Sequence, residues 1–452
     1  MNTDPRETLA KSAMSWLQIV AVIITIGLNA LDGFDVLSIS YASPGILKEW
    51  GIDKGVLGIV TSMELLGMAL GSLVLGGVAD KIGRRKTTLG CLVLMTVGMF
   101  LATTAKGPID LSIYRVITGL GIGGVLAAIN ALAAEFSNTK RRDLAVAIMS
   151  IGYPVGGVLG GLIVAQLFRG HADWRSVFYF GGTVTAIFIP LVLLFVPESV
   201  FWLVRKQPAG ALERINRILG RMGHSAIAAL PAVSAQARKR SFADIFAPGL
   251  LTITILVSVT YFLHVTTFYF ILKWATVIVT SMGFQQAQAA GVLVWASVGG
   301  ALGGITLGLL SQKFALKPLT VTVMILGSLA TVLFGRSPPD LFKISLFIAI
   351  AGFFTNGAIS GMYAIFAKAF PTHVRASGTG VAIGLGRGGS VIAPVIAGFM
   401  FKAGISVPTV SMIMACGSLL AALVLSRLKL NPDQAEHLAD ESAAPMGSPR
   451  TA

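Results

Sequence analysis

Residues 76–86 read Gly-Gly-Val-Ala-Asp-Lys-Ile-Gly-Arg-Arg-Lys and separate two long apolar segments. Gly83 allows a tight turn there, because glycine adopts backbone conformations that other residues avoid. Asp80 falls at the end of one predicted helix, and Arg84 and Arg85 begin the next, where they can form charge-assisted hydrogen bonds with carboxylates of neighbouring helices. The stretch therefore predicts two long apolar helices joined by a short charged turn.

The composition of the 452-residue chain excludes a soluble globular protein, since 54% of its residues are hydrophobic and only 12% are charged. The mean hydropathy is +0.80. The net charge of +15 comes from basic residues scattered between apolar segments, so no nucleic-acid partner is expected. The chain is predicted to be an all-α protein embedded in a lipid bilayer.

Twelve apolar segments are long enough to cross a bilayer, which takes about 20 helical residues. A longer polar stretch divides them six and six. The predicted domains are an N-terminal six-helix bundle at 1–196, a cytosolic linker at 197–248, a C-terminal six-helix bundle at 249–430 and a disordered tail at 431–452.

The linker contains an amphipathic pattern from Ala209 to Met222, in which apolar residues recur at helical spacing with arginines between them. The pattern indicates a basic helix lying on the membrane surface. A solvated linker helix is the alternative interpretation.

The basic residues of the short loops predict the orientation, because such residues accumulate on the cytosolic side of a membrane. With an even number of helices, both termini are then expected in the cytosol. The residues concerned are Lys81, Arg84, Arg85, Lys86, Lys140, Arg141, Arg142, Lys313, Lys317, Lys368 and Arg375.

The two halves of the chain resemble each other at one junction. Glu135-Phe136 followed by Arg141 and Arg142 matches Ala369-Phe370-Pro371 followed by Arg375. A duplicated six-helix unit of this kind is typical of transporters with a central site between the repeats.

Asp32 and Asp35 lie inside the first apolar stretch, and their spacing places both carboxylates on one face of a helix. A charged side chain at mid-bilayer costs roughly 2.5–3.5 kcal/mol on insertion scales, so such residues bind protons or substrate or pair with a buried cation. We expect a functional pair. A structural polar cluster satisfied by neighbouring helices is the alternative.

Two embedded arginines also need anionic partners, because a guanidinium does not lose its proton. For Arg115, in the fourth segment, the candidates are Asp32, Asp35 and Glu64, and the alternative is that its side chain reaches the membrane interface. Arg387, in the eleventh segment, is flanked by glycines and offers a planar fork for a substrate carboxylate. A structural ion pair is the alternative for Arg387.

The seventh segment interleaves aromatic and polar residues from Tyr261 to Trp274, a pattern that suits a ring-shaped ligand. For His264 taken alone, the sequence favours a structural role over that of a proton carrier. Lys273 and Trp274 are interpreted alternatively as an interfacial anchor at the outer surface. Asn356 and Tyr363, in the tenth segment, are further candidate pocket groups.

The charged turn at 76–86 also resembles the signature loop of the major facilitator superfamily. That resemblance implies that the loop latches a cytosolic gate, and Glu135 is the expected partner of its arginines. The corresponding loop of the second half carries Gln312 in place of the aspartate and Leu316 in place of the first arginine. The charged contacts of the expected gate are therefore asymmetric, because only the loop of the first half keeps the aspartate and the first arginine.

Asp32-Gly33-Phe34-Asp35, the 76–86 loop, Arg115, and Arg375 followed by Arg387 together resemble the aromatic acid:proton symporter family of that superfamily. The resemblance implies two pseudo-symmetric six-helix bundles and import of a hydroxybenzoate-like carboxylate with a proton across a bacterial inner membrane. From the residues and the resemblance together, we expect proton coupling for Asp32, Asp35, Glu64 and Arg115, substrate binding for Arg387, Phe34, His264, Tyr269, Asn356 and Tyr363, and gating for Asp80, Arg84, Glu135 and Arg375.

Other functions are less consistent with the sequence. No phosphate-binding loop and no cluster of metal ligands occurs in it, and Cys91 and Cys416 both fall in apolar segments. We therefore expect no cofactor, no metal, no enzymatic activity and a monomer. A proton-coupled carrier of other organic acids, or an exporter of the same superfamily, is the alternative function.

Overall fold

The computed structural model describes residues 4–231, 246, 248–370 and 374–428. The tail at 431–452 and part of the linker lie outside the described residues. The described part contains fifteen α-helices: α1 (Pro5–Lys11), α2 (Trp16–Trp50), α3 (Lys54–Ile82), α4 (Arg84–Thr103), α5 (Pro108–Glu135), α6 (Arg142–Arg169), α7 (Arg175–Phe195), α8 (Val200–Lys206), α9 (Ala211–Arg221), α10 (Pro248–Ser281), α11 (Gln286–Leu310), α12 (Leu316–Gly335), α13 (Leu341–Ala369), α14 (Arg375–Lys402) and α15 (Val407–Arg427).

Twelve of these helices are long and apolar enough to span a membrane, among the residues that the structure describes. They are α2 to α7 and α10 to α15, so the predicted twelve segments are confirmed. The turn between α3 and α4 is as short as expected, because Gly83 alone separates the two helices and has a φ of 112°. Only glycine adopts such a value without strain.

The two sets of six helices pack in the same way. In the first bundle α3 packs on α5, α4 on α5 and α7, and α2 on α6 and α7. In the second bundle α11 packs on α13, α12 on α13 and α15, and α10 on α14 and α15. Between the bundles, α3 contacts α14 and α6 contacts α11, which are again equivalent pairs. The bundles are therefore related by pseudo-symmetry.

The junction that suggested the repeat is structurally equivalent in the two halves. Arg142 donates from Nε to the carbonyl of Ala134 at 3.2 Å, at the end of α5. Arg375 donates from Nε to the carbonyl of Phe370 at 3.5 Å, directly after α13. Each arginine thus binds a carbonyl at the end of the preceding helix, where carbonyl groups lack helical partners.

Glycines bring certain helices into backbone contact. A Cβ atom at Gly119 of α5 would collide with the carbonyl of Glu64 in α3, and one at Gly303 of α11 would collide with the carbonyl of Phe353 in α13. Small residues at helix interfaces permit such close approach. In the first bundle this contact fixes the backbone of Glu64 against the helix that carries Arg115.

The molecule has two ends, which we name by their loops. The basic end carries the turn at Gly83 and the connections at 136–141 and 311–315, and the opposite end carries the connections at 51–53, 282–285 and 403–406. Near the opposite end one hydrophobic core contains residues of both bundles, including Ile46, Leu57, Ile278 and Ala397. The bundles are therefore closed against each other at the opposite end.

The short helices α1, α8 and α9 attach to the basic end of the first bundle. Ile215 and Leu219 of α9 are fully buried and belong to the same hydrophobic core as Leu203 of α8 and Leu132 of α5. The interpretation of this segment as a helix whose apolar face lies on the membrane is wrong, because protein already covers that face. The arginines of α9 are exposed, as its sequence pattern predicted.

Substitution of Gly303 by alanine tests the role of backbone contact. Overpacking of this kind typically costs about 1–3 kcal/mol, so Gly303→Ala should lower the unfolding temperature of the purified protein. Gly291→Ala in the same helix is the matched control, since a Cβ atom at Gly291 has no neighbour within 4 Å. The control should leave the temperature unchanged or raise it, and equal losses in both variants would contradict the proposed contact.

Candidate functional site

The centre of the site is a buried ion network on Glu64 of α3. One carboxylate oxygen of Glu64 binds Arg115 of α5, and the other lies 3.4 Å from Nζ of Lys273 in α10. All three side chains are completely buried. Because Lys273 belongs to the second bundle, Glu64 is bound by one cation from each bundle.

Arg115 has no access to the membrane interface, which excludes the alternative that it reaches out of the bundle. Its Nη2 atom donates to the backbone carbonyl of Asp35 at 3.0 Å and to Oγ of Ser38 at 3.1 Å, and its guanidinium lies 5.2 Å from the ring centre of Phe178. Of the three carboxylates expected as partners, the structure selects Glu64.

Lys273 was missed by sequence reasoning as a member of this network. It is buried between the bundles and its Nζ atom donates to the backbone carbonyl of Val36 in α2. The neighbouring Trp274 is also buried and donates from Nε1 to the carbonyl of Pro394 at 3.2 Å. The interpretation of this pair as an anchor at the outer surface is therefore wrong. A lysine well inside an apolar segment was the signal in the sequence.

Asp32 and Asp35 lie near the network without joining it. Both residues are buried, and within the described part of the chain Oδ1 of Asp32 and both carboxylate oxygens of Asp35 have no hydrogen-bond partner. The charge of Arg387 acts on Asp32, and the charge of Arg115 acts on Asp35. These two carboxylates are thus left available for a proton or a ligand.

Arg387 and two tyrosines interact electrostatically with Asp32. Arg387 is half-buried, and its Nη1 atom has no hydrogen-bond partner among the described residues. Tyr269 interacts electrostatically with Arg387 and Asp32, and Tyr153 of α6 interacts with Tyr269 and Asp32. Tyr153 was not predicted, although it lies beside Pro154 in a glycine-rich helix.

The second bundle contributes the hydroxyl groups of Tyr261 and Tyr363 to this region. The hydroxyl groups of Tyr363 and Tyr261 lie 2.9 Å apart, and Tyr363 is 41% exposed. Asn356 is half-buried and donates to the carbonyl of Gly300 at 2.7 Å. Tyr261, which also interacts with Arg387, is a further residue of this region that was quoted in the aromatic pattern but not selected.

Two predicted binding residues lie elsewhere. The ring of Phe34 is buried inside the first bundle, where it packs against Phe180 at 5.1 Å and against Gly160. His264 is buried inside the second bundle, donating from Nε2 to the carbonyl of Thr355 at 2.8 Å and hydrogen-bonding through Nδ1 to Oγ of Ser418 at 2.9 Å. Each of these two residues is therefore a packing residue inside its own bundle.

The predicted gating residues meet at the basic end, but in a different pairing. Asp80 binds Arg84 at 3.0 Å and Arg205 of α8 at 3.1 Å. Glu135, the expected partner of the loop arginines, is instead hydrogen-bonded by Ser199 and interacts with Arg84 through charge alone. Arg375 is exposed, and within the described residues it binds the carbonyl of Phe370 noted above.

The linker contributes other groups to this loop that the sequence did not single out. Nε1 of Trp202 donates to the carbonyl of Asp80 at 3.0 Å, and the backbone N–H of Arg85 donates to Glu198 at 3.1 Å. The charged turn is therefore held by the linker helix α8.

A second ion pair joins the bundles at the opposite end. Asp53, which precedes α3, lies 3.0 Å from Lys402 at the end of α14, and both side chains are about half exposed. The backbone N–H of Val56 and the ammonium of Lys402 hold the pKa of the Asp53 carboxyl below its ordinary value. Exposed pairs of this kind contribute about 0–1 kcal/mol.

Removal of Arg115 tests whether the buried network stabilises the first bundle. Breaking a buried ion pair by deleting one partner costs about 3–5 kcal/mol, so Arg115→Gln should strongly lower the unfolding temperature in detergent. Arg175→Gln is the control, because Arg175 forms a partly exposed pair with Glu49 at 2.7 Å. A larger loss for the control than for Arg115→Gln would contradict the assignment.

Comparison with known proteins gives consistent matches over most of the chain. A family model described as Major Facilitator Superfamily matches residues 25–340 and, in an overlapping match, residues 257–449. The 3-(3-hydroxy-phenyl)propionate transporter of Escherichia coli strain K12 is 30% identical over 427 residues, covering 93% of this chain and 97% of that protein. The gallate transporter of Pseudomonas putida is 27% identical over 431 residues, covering 93% and 94%.

Among solved structures, the xylose transporter XylE from E. coli in an inward open conformation matches with a TM-score of 0.73. The identity is 18%, and the match covers 94% of this chain and 100% of that one, so it confirms the predicted fold. Because the relatives are transporters, the expectation that the chain is not an enzyme is also confirmed. The chain belongs to the Major Facilitator Superfamily, and its resemblance to the aromatic acid transporters of that superfamily is confirmed by these relatives.

Proposed function

We propose that this protein imports an aromatic carboxylate together with a proton by alternating access. The observation that carries the proposal is the cluster of buried and half-buried charges at and beside the contact of the bundles. It contains three cations, Arg115, Lys273 and Arg387, and three carboxylates, which are Asp32, Asp35 and Glu64.

The charge balance of this cluster links a proton to an anion. When all six groups are ionised, their charges cancel. Protonation of Asp32 or Asp35 leaves one uncompensated positive charge, which is costly in a low-dielectric interior. A substrate carboxylate restores the balance, so binding of the proton favours binding of the anion.

The arrangement of the groups supports a separate role for each in this proposal. Nη1 of Arg387 has no hydrogen-bond partner in the described part of the chain, and its guanidinium offers a planar fork that matches a carboxylate. Tyr269 interacts with Arg387, and Tyr363 is hydrogen-bonded to Tyr261, which also interacts with Arg387. These residues supply ring surface and hydroxyl groups, and Asn356 of α13 is a further candidate hydrogen-bonding group. Asp32 lies within the field of Arg387, so the proton site and the carboxylate site are adjacent.

The named substrates of two relatives support an aromatic acid. Gallate and 3-(3-hydroxy-phenyl)propionate each combine a carboxylate with a hydroxylated ring. The pairing of one arginine with several tyrosines in this chain suits both parts of such a molecule. A hydroxybenzoate-like compound is the substrate that we propose.

We further propose that the basic end faces the cytosol of a bacterium, with the protein in the inner membrane, both termini cytosolic and the monomer as the working unit. Basic loops favour this orientation. In it, the structure is closed toward the outside. Asp80 and Arg84, with Glu135 and Arg375 nearby, are then the groups that rearrange when the cytosolic gate closes.

Asp32→Asn and Asp35→Asn test proton coupling. Because the amide cannot exchange a proton, these variants in proteoliposomes should lose accumulation of labelled 4-hydroxybenzoate driven by an imposed pH gradient. They should retain exchange of labelled for unlabelled substrate, which needs no net proton movement. Asp143→Asn, an exposed residue of α6, is the control and should accumulate normally. Normal gradient-driven accumulation in both test variants would refute coupling through these residues.

Arg387→Lys tests recognition of the carboxylate. The variant keeps the charge but loses the bidentate fork, and a loss of about 1.4 kcal/mol corresponds to a tenfold weaker affinity. Calorimetry should show 4-hydroxybenzoate binding at least tenfold more weakly, while 4-hydroxybenzamide should bind the wild type weakly and lose little more in the variant. Equal losses for acid and amide would indicate that Arg387 supports the fold instead.

A further inference from the structure

Lys273 forms the buried ionic contact between the two bundles. Its ammonium group leaves α10, crosses the interface and meets Glu64 of α3 and the carbonyl of Val36 in α2. Among the described residues, salt bridges join the bundles only here and at Asp53 and Lys402. The second of these pairs is half exposed, so Lys273 and Glu64 form the one pair that is sealed from water.

The same stretch of α10 makes a further polar contact with α2. Pro44 lies inside α2 and has no N–H group, so the carbonyl of Ser40 lacks its helical partner. The hydroxyl of Thr276 donates to that carbonyl, one turn beyond Lys273. Nε2 of Gln286, at the start of α11, donates to the carbonyl of Tyr41 at 3.0 Å. The interface near Lys273 is therefore built from complementary polar groups as well as apolar packing.

A buried ion pair is not needed to hold two apolar surfaces together. Replacement of such a pair by well-packed apolar residues is often neutral or stabilising, because both charges must first be desolvated. A charged pair differs from apolar packing in one respect, which is that its strength depends on the ionisation of both partners. Its presence at a moving interface therefore indicates a contact that can be switched.

The positions of the charged neighbours of Glu64 indicate which of its contacts breaks when the opposite end opens. Arg115 approaches it from α5, Lys273 from α10, and Asp32 and Asp35 act on it from α2. Arg115, Asp32 and Asp35 belong to the same bundle as Glu64 and move with it when bundles rock as units. Of these four charged residues only Lys273 belongs to the other bundle, so among the ionic contacts of Glu64 it is the one with Lys273 that must break when this end opens.

We propose that the Glu64–Lys273 pair is the lock that holds the opposite end closed, and that opening of this end requires the pair to separate. Lys273 is thus a positioning residue of the transport cycle. The inference rests on the alternating access that we propose for the function.

Distances between spin labels test the lock. Thr104→Cys and Thr409→Cys place labels on exposed positions of the two bundles at the opposite end, in a background with Cys91→Ala and Cys416→Ser. Lys140→Cys and Lys313→Cys, also exposed, report the basic end. Lys273→Met should raise the ratio of open to closed populations at the opposite end about fivefold or more, with the reverse change at the basic end.

Three further variants separate a lock from a general loss of structure. Glu64→Gln should shift the populations in the same direction, and the double variant Glu64→Gln/Lys273→Met should add little to either single change. Lys273→Arg keeps the charge and should restore the closed population. Lys402→Met removes the same type of side chain from the exposed pair at the same end, and it should shift the ratio by about twofold or less.

Each outcome of the measurement is decisive. Wild-type populations in Lys273→Met, or an equal shift in Lys402→Met, would overturn the lock while leaving the proposed function intact. Additive shifts in the double variant would show that Glu64 and Lys273 act independently, which also overturns it. A single unchanging distance at both ends in every variant, with substrate present or absent, would overturn alternating access itself.

Discussion

The charge of Glu64, held between Arg115 and Lys273, is the constraint on which the interface depends. Three ions buried without water are tolerated only when they satisfy one another, since each carries a desolvation penalty of several kcal/mol. Arg115 cannot escape the penalty by losing a proton. The helices that carry the three residues must therefore keep their depth and rotation relative to one another wherever the network is intact.

The rest of the fold supplies that alignment. Backbone contact between α3 and α5 at Gly119 sets the position of Glu64, and the carbonyls of α2 receive the polar side chains of α10. The neighbouring aspartates, Asp32 and Asp35, do not join this network. Asp35 has no hydrogen-bond partner for either carboxylate oxygen among the described residues. Glu64 thus holds the closed interface, while Asp32 and Asp35 remain available at the centre. Because these tasks fall to different carboxylates, the central site can bind a proton or a ligand without disrupting the packing of the bundle.

Predictions of single elements from the sequence succeeded where the physical cause is local. The twelve apolar segments and the charged turn at Gly83 follow from hydropathy and from glycine geometry. The amphipathic pattern of α9 was also recognised correctly. What covers its apolar face was not, because periodicity shows that one face is apolar but does not distinguish lipid from protein as its partner.

Predictions of partners succeeded less often. The sequence showed that Arg115 needs a carboxylate partner. Which of Glu64, Asp32 and Asp35 it binds depends on the position of each helix along the membrane normal relative to its neighbours. His264 and Phe34 were predicted to line the binding pocket. The rotation of their helices instead directs each side chain into the interior of its own bundle. Lys273 was ambiguous for the same reason, since a lysine near a tryptophan fits an interfacial anchor as well as an ion pair.

The sequence alone determined that the chain is a twelve-helix membrane protein with a repeated half, because lipid forces every spanning segment to satisfy its own backbone and to be apolar. These requirements act residue by residue along the chain and leave a visible pattern. Only the tertiary structure decided which charges meet, that Lys273 reaches Glu64 across the bundles, and that the linker helix α8 binds the charged turn. Those contacts join residues from about fifty to more than two hundred positions apart, and they depend on the rotation and depth of each helix, which no local pattern encodes.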